Sequence, residues 1–196
     1  MKQNRENPFF ETYRTPFGTP PFDQIKTEQY EPAFDEGIRQ LDEEVRAIAD
    51  NTELPTFENT IIALERSGKL LDKVISAFFN VLNAEADDEM MDISQRVSPK
   101  LSESSNNIYL NEQLFARVKS VYDRKDELHL PMEDARLLEK TFEAFCARGA
   151  ALGPEEKEKY RKLSSELSLL SLIFDQNALK DKNRYELLLT KEDELE

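Results

Sequence analysis

The fold is decided by the stretch from Pro55 to Leu82, which reads PTFENTIIALERSGKLLDKVISAFFNVL. Its apolar positions follow one another in steps of four and three residues, which is the spacing of one face of an α-helix. These positions are Phe57, Ile61, Leu64, Gly68, Leu71, Ile75, Phe78 and Leu82. Thr56 stands where an N-cap residue accepts hydrogen bonds from the first turn. The stretch therefore predicts one long helix, in which Gly68 lets another backbone approach closely.

Further stretches repeat this spacing, and only 5 glycines in 196 residues leave few tight turns. Pro32 suits the first turn of a helix before the quoted stretch. Asn111 can cap a later helix, and Gly149 can end the one that begins at Pro131. Pro99 lies inside another apolar stripe, so we expect a kink near Gln95 or a break there. The further helices have their apolar positions within residues 34–48, 90–108, 114–122, 132–145 and 160–174.

Six long helices with short connections predict an all-α antiparallel bundle. The sixth helix follows Gly153 and Pro154, and its stripe repeats the steps of three and four. A stripe of this kind forms either a groove for a peptide or partner helix, or an ordinary bundle core. The regular spacing favours the core. The stripe consists of Tyr160, Leu163, Leu167, Leu170 and Phe174.

Both ends of the chain depart from the helical pattern. Residues 1–25 form an extended arm with five aromatic residues and four prolines between positions 7 and 25. An arm this aromatic must pack on something, and we expect it to be the most mobile or most intermolecular part of the isolated domain. The helical domain covers residues 26–183. Residues 184–196 contain a short strand around Leu187 and a helix cap at Thr190, which predict the start of a further structural unit that is cut off.

Composition excludes several classes of function. The chain has 26 Lys and Arg against 40 Asp and Glu, a net charge of −14, which disfavours nucleic acids and anionic membranes as partners. No apolar run has the length of a signal peptide or a membrane span. We therefore expect a soluble, cytoplasmic chain, and an export signal ahead of Met1 stays open.

Two residues could carry chemistry, and each stands alone. His129 precedes a predicted helix start and is either a general base or metal ligand, or a loop histidine; the absence of a paired nucleophile favours the loop. Cys146 follows two phenylalanines and is expected to be a buried, inert thiol. One His cannot supply a usual catalytic zinc site. We therefore assign no catalytic, cofactor-binding or metal-binding residue to this chain.

Several strings resemble a known family. They are NPFFETYRTPFGTPPFDQIKTEQYEPAFDEGI (residues 7–38), PTFENTIIALERSGKLLDKVISAFFNVLNAEA (55–86), SPKLSESSNNIYLNEQLFARV (98–118) and LPMEDARLLEKTFEAFCARGAAL (130–152). Together they resemble the amino-terminal region of the M3 (thimet oligopeptidase) family of zinc metallopeptidases. Within it they are most similar to the bacterial peptidyl-dipeptidase (dipeptidyl carboxypeptidase) branch. One departure is Gln29, where relatives commonly carry a histidine that is not a zinc ligand.

The resemblance implies a mostly helical enzyme with two lobes around a channel that admits short peptides. In that family the two histidines of HExxH and a downstream Glu hold one zinc ion, and none of these residues can be carried onto this chain. The resemblance therefore implies a helical amino-terminal domain of a zinc peptidyl-dipeptidase. Its partners would be the carboxyl-terminal catalytic region of the same polypeptide and, in the full-length enzyme, short peptide substrates. The alternative is an autonomous helical module that binds a partner protein.

Overall fold

The architecture is all-α, as predicted. The computed structural model describes residues 7–85, 87–184 and 186, and these contain no strand. Six of the described helices are 11 to 31 residues long. The strand expected around Leu187 and the cap expected at Thr190 lie outside the described residues. The helices are α1 (Tyr30–Ala49), α2 (Ala63–Glu65), α3 (Lys69–Glu85), α4 (Asp88–Tyr109), α5 (Glu112–Tyr122), α6 (Met132–Ala147) and α7 (Pro154–Arg184).

Two hydrophobic clusters hold the bundle together, and α1 contributes to both. The first joins the start of α1 to the arm, α3 and α4 around Phe34, Phe78 and Val97, which are fully buried. The second joins the end of α1 to α5 and α6 around Leu114 and Phe145. Each side chain of this size stabilises the fold by about 1.5 to 3 kcal/mol when fully buried.

The predicted single helix from Phe57 to Leu82 is wrong, because the chain breaks at Gly68. It starts as expected: Thr56 Oγ1 accepts a hydrogen bond from the backbone N–H of Asn59 at 3.0 Å. A wide π-turn, Phe57–Ile62, and the short α2 follow, and α3 then begins at Lys69. Gly68 has a φ of 75°, which only glycine adopts without strain, and its N–H donates to the Glu44 carboxylate at 2.7 Å.

The close approach of two backbones occurs at Gly37 instead of Gly68. A Cβ added to Gly37 would lie 3.0 Å from the Cα and 3.1 Å from the backbone N of Leu71 in α3. A Cβ added to Gly68 would have a side-chain methyl group of Leu41 as its nearest atom, at 3.2 Å. The glycine that lets two helices touch is therefore in α1, and Gly68 serves a turn.

The other helix boundaries mostly follow the sequence. Asn111 caps α5 by accepting a hydrogen bond from the N–H of Leu114 at 3.0 Å, and Gly149 ends α6 with a φ of 87°, both as predicted. Of the two alternatives predicted at Pro99, the break is wrong, because α4 runs through this residue, and the kink near Gln95 stays a prediction. Pro99 and Gln95 are both exposed, so water can hydrogen-bond to the carbonyl that lacks its helical partner.

The first half of the arm packs on the chain's own helices. Phe9 is fully buried, with its ring 5.3 Å from that of Tyr30. Lys73 of α3 donates hydrogen bonds to the carbonyls of Phe9 (2.8 Å) and Glu11 (2.6 Å), and its Nζ lies 3.6 Å from the ring centre of Tyr13. Residues 7–13 therefore pack within their own domain, which contradicts the intermolecular alternative for them, while the alternative of a mobile arm stays a prediction.

Candidate functional site

The largest departure from the predicted core lies on α7. The stripe predicted to be buried is exposed: Leu163 is 55%, Leu167 66%, Leu170 56% and Phe174 72% accessible. Only Tyr160, at its start, is half-buried. The helix therefore presents its most apolar side to the outside of the described bundle.

A polar face of α7 packs against α4 instead. Gln176 is buried, and its Nε2 donates to Ser94 Oγ at 2.9 Å while its Oε1 accepts from Gln95 at 3.0 Å. Further along, Asn106 of α4 donates to Ser164 Oγ at 2.9 Å. We call this contact between the two helices the polar seam. Leu172 of α7 is also buried, and Leu179 packs against the first hydrophobic cluster, so the contact combines apolar burial with hydrogen bonds, each of which contributes about 0.5 to 1.5 kcal/mol.

A groove of about 520 Å³ follows the polar seam. Tyr109 lies on its wall with the guanidinium of Arg148 over its ring at 4.2 Å, and Arg148 also donates to Ser105 Oγ at 3.1 Å. Small hydroxyl side chains on both helices line much of the rest. These are Ser98, Ser102, Ser105, Ser164, Ser168 and Ser171. A serine nucleophile needs an adjacent general base, and His129 does not line this groove.

The two residues considered for chemistry are both at the surface. His129 lies in the turn before α6 with a φ of 48°, and its side chain is exposed. Cys146 is exposed near the end of α6, so the expectation of a buried thiol is wrong. Its neighbour Phe145 takes the inward position. Within the described residues, no group of three or more His, Cys, Asp or Glu side chains could hold a metal ion.

The shifted carboxylates of the described part belong to ion pairs on helix surfaces. Arg96 of α4 contacts Glu31 of α1 at 3.0 Å, and this hydrogen bond lowers the pKa of Glu31. The hydrogen bond from Arg39 lowers the pKa of Glu36 to about 2. Exposed pairs of this kind contribute little to stability, about 0 to 1 kcal/mol each. They explain these pKa shifts without any catalytic role.

Two buried polar groups were missed by the sequence reasoning, and both serve the structure. Arg117 of α5 is buried, and its guanidinium donates to the carbonyls of Asn51 (2.6 Å) and Glu53 (3.0 Å). It lies three residues after Leu114 on the buried face, which is the signal that could have found it. Burial raises the pKa of Tyr13 to about 12, and the neighbouring Tyr30 adds to this shift.

Comparison with known proteins shows that the chain is similar to part of several peptidases. The dipeptidyl carboxypeptidase of Escherichia coli (strain K12) is 43% identical over 173 residues, which are 88% of this chain and 25% of that protein. The chain is related to part of this enzyme. The Salmonella typhimurium dipeptidyl carboxypeptidase is 40% identical over the same length and coverage. The Escherichia coli oligopeptidase A is 24% identical over 181 residues, 92% of this chain and 27% of that protein.

These relatives confirm the resemblance to the M3 peptidases and to the peptidyl-dipeptidase branch. No family profile matches the chain. The chain spans about a quarter of the length of the dipeptidyl carboxypeptidases that it matches. None of the helices in the described residues is long and apolar enough to cross a membrane.

Proposed function

We propose that this chain is the amino-terminal helical domain of a zinc-dependent peptidyl-dipeptidase that cleaves short peptides. In this proposal it forms part of the lobe that walls the substrate channel and supplies no catalytic residue. The observation that carries the proposal is the 43% identity over 88% of the chain to only a quarter of a dipeptidyl carboxypeptidase. A location in the cytoplasm stays a prediction.

The zinc chemistry would belong to the remaining three quarters of such an enzyme. A catalytic zinc site takes three protein ligands, usually including two histidines, and this chain has one His and one Cys. The described residues therefore do not fit a catalytic zinc ion, and no step of peptide cleavage is assigned to them.

The contribution of this chain would be mechanical. Two separate cores tie four helices and the first half of the arm to α1. A wall built in this way keeps its shape when a peptide enters the channel, because close-packed interiors resist deformation.

A chimera tests the proposal. The chain replaces its matched segment in the Escherichia coli dipeptidyl carboxypeptidase, and release of dipeptides from the carboxyl end of a short peptide is measured. We expect the chimera to be active and zinc-dependent, while the chain alone binds no stoichiometric zinc and releases no dipeptide. A second chimera with Phe78→Asp, which places a charge in the first core, serves as a control and should be inactive.

Two results would contradict the proposal. One is a folded chimera without activity. The other is chelator-sensitive dipeptide release, or one tightly held zinc ion, in the purified chain alone. The alternative function, an autonomous interaction module, would be favoured if the folded chimera were inactive and the chain alone bound a separate protein.

A further inference from the structure

We propose that the exposed stripe of α7 is the docking face for an apolar helix from the part of the same polypeptide that lies outside this chain. We call it the α7 stripe and define it by Leu163, Leu167, Leu170 and Phe174. The inference rests on the proposed function, because it takes the remaining part of a peptidyl-dipeptidase as the occupant.

The exposure of the α7 stripe is the first argument. All four side chains are more than half accessible, and they lie on one continuous helix. Leu169 and Ile173 beside them are also exposed and widen the apolar surface. Contiguous apolar patches of this kind on a protein surface mark interaction sites, whereas single exposed leucines do not.

The orientation of α7 is the second argument. An amphipathic helix that belongs to a finished bundle turns its apolar side inward. Here the inward side carries the polar seam, with Gln176 and Ser164 hydrogen-bonded to α4, together with the buried Leu172, while the four residues of the α7 stripe stay exposed. One side of α7 therefore packs against α4, and the side that carries the α7 stripe is not covered by any of the described residues.

The spacing of the stripe specifies the shape of that neighbour. The four residues follow in steps of four, three and four, which is the seam along which two helices pack side by side at a crossing angle of about 20°. From Leu163 to Phe174 the seam is about 16 Å long, at 1.5 Å per residue. A helix with an apolar stripe of two to three turns fits it, and an extended peptide strand does not.

Coverage and charge favour the same polypeptide over a second copy of this chain. The chain spans a quarter of its dipeptidyl carboxypeptidase relatives, so three quarters of such a protein could supply the helix. A segment of the same polypeptide would also bind the α7 stripe in preference to a second copy of the chain, because covalent linkage gives it an effective concentration of about millimolar. Two copies of this chain would each bring a net charge of −14, which opposes their association.

The test measures thiol accessibility in the isolated chain and in the chimera described above. Leu167→Cys is made with Cys146→Ser, so that the new thiol is the only one the chain contributes. The labelling rate by a soluble thiol reagent is read by peptide mass. We expect it to fall by at least about tenfold from the chain to the chimera, because a docked helix must open before the reagent enters.

Met132→Cys in the same Cys146→Ser background is the matched control. Met132 is 85% exposed on α6, away from the α7 stripe, although its position had predicted a place on the apolar face of that helix. Its labelling rate should be the same in the chain and in the chimera.

The outcomes separate this inference from the proposed function. An active chimera in which both positions label as fast as in the chain would overturn the docking of α7 and leave the proposed function standing. Protection of position 167 in an inactive chimera would support the docking and contradict the function. Protection already present in the chain alone, together with a dimer in sedimentation, would identify a second copy as the occupant and overturn the inference.

Discussion

Replacing Gly37 with alanine should destabilise the fold, although alanine is the better helix former. In the interior of an exposed helix this change would stabilise by about 0.8 to 1 kcal/mol. In α1, however, the added Cβ would lie 3.0 Å from Cα, 3.1 Å from N and 3.2 Å from Cβ of Leu71. Two of these three atoms are backbone atoms of α3, so they can move away only if the two helices move apart.

The size of the effect follows from these two opposing contributions. Overpacking a well-filled interior by one methyl group costs about 1 to 3 kcal/mol. Because the added Cβ meets backbone atoms, we expect the upper part of this range, about 2 to 3 kcal/mol. After the gain in helix propensity, Gly37→Ala should lower the free energy of unfolding by about 1 to 2 kcal/mol. Gly37→Val adds two further carbons at the same contact and should cost more than about 3 kcal/mol. For a domain of this size, 1 kcal/mol corresponds to about 2 to 4 °C in Tm.

Urea unfolding followed by circular dichroism measures this directly. The midpoint should fall while the dependence on urea stays unchanged. Ala47→Gly is the control for helix propensity, because Ala47 lies on the exposed side of the same helix. It should lower the free energy of unfolding by about 1 kcal/mol through propensity alone. A Gly37→Ala variant as stable as the original chain, or more stable, would refute the close contact between α1 and α3.

Three further predictions concern other parts of the structure. Arg117→Met should lower the free energy of unfolding by about 1 to 3 kcal/mol, because the buried guanidinium no longer donates to the carbonyls of Asn51 and Glu53. The exposed Arg66→Met should change it by less than about 0.5 kcal/mol in the same urea assay. Tyr13→Phe should lessen the loss of stability at alkaline pH. Burial raises the pKa of Tyr13 from 10.0 to about 12, so its stabilising contribution is complete below pH 10 and disappears as the pH rises to about 12; unfolding midpoints across this range check it. Cys146 should react fully with a thiol reagent in the native chain, and a reaction that requires denaturant would mean that the thiol is buried.

Local features were predictable because they depend on neighbours within one or two turns. The cap at Asn111 and the end at Gly149 each follow from a side chain or a φ angle that the residue type favours. The burial of most of the stripe from Phe57 to Leu82 also followed from its spacing, and Phe57, Ile61 and Phe78 are indeed buried. The break at Gly68 could not be predicted from this spacing. The apolar residues keep the same steps of four and three before and after the turn, so the spacing alone does not show that the helix is interrupted.

The sequence by itself determined that this chain is helical and where most of its helices begin and end. Only the tertiary structure decided that Gly37 rather than Gly68 brings two helices together, and that α7 turns Leu167 outward and Gln176 inward. The physical reason is that an apolar stripe shows which face of a helix favours burial. What covers that face depends on residues far away in the sequence, and for α7 we infer that they lie beyond this chain.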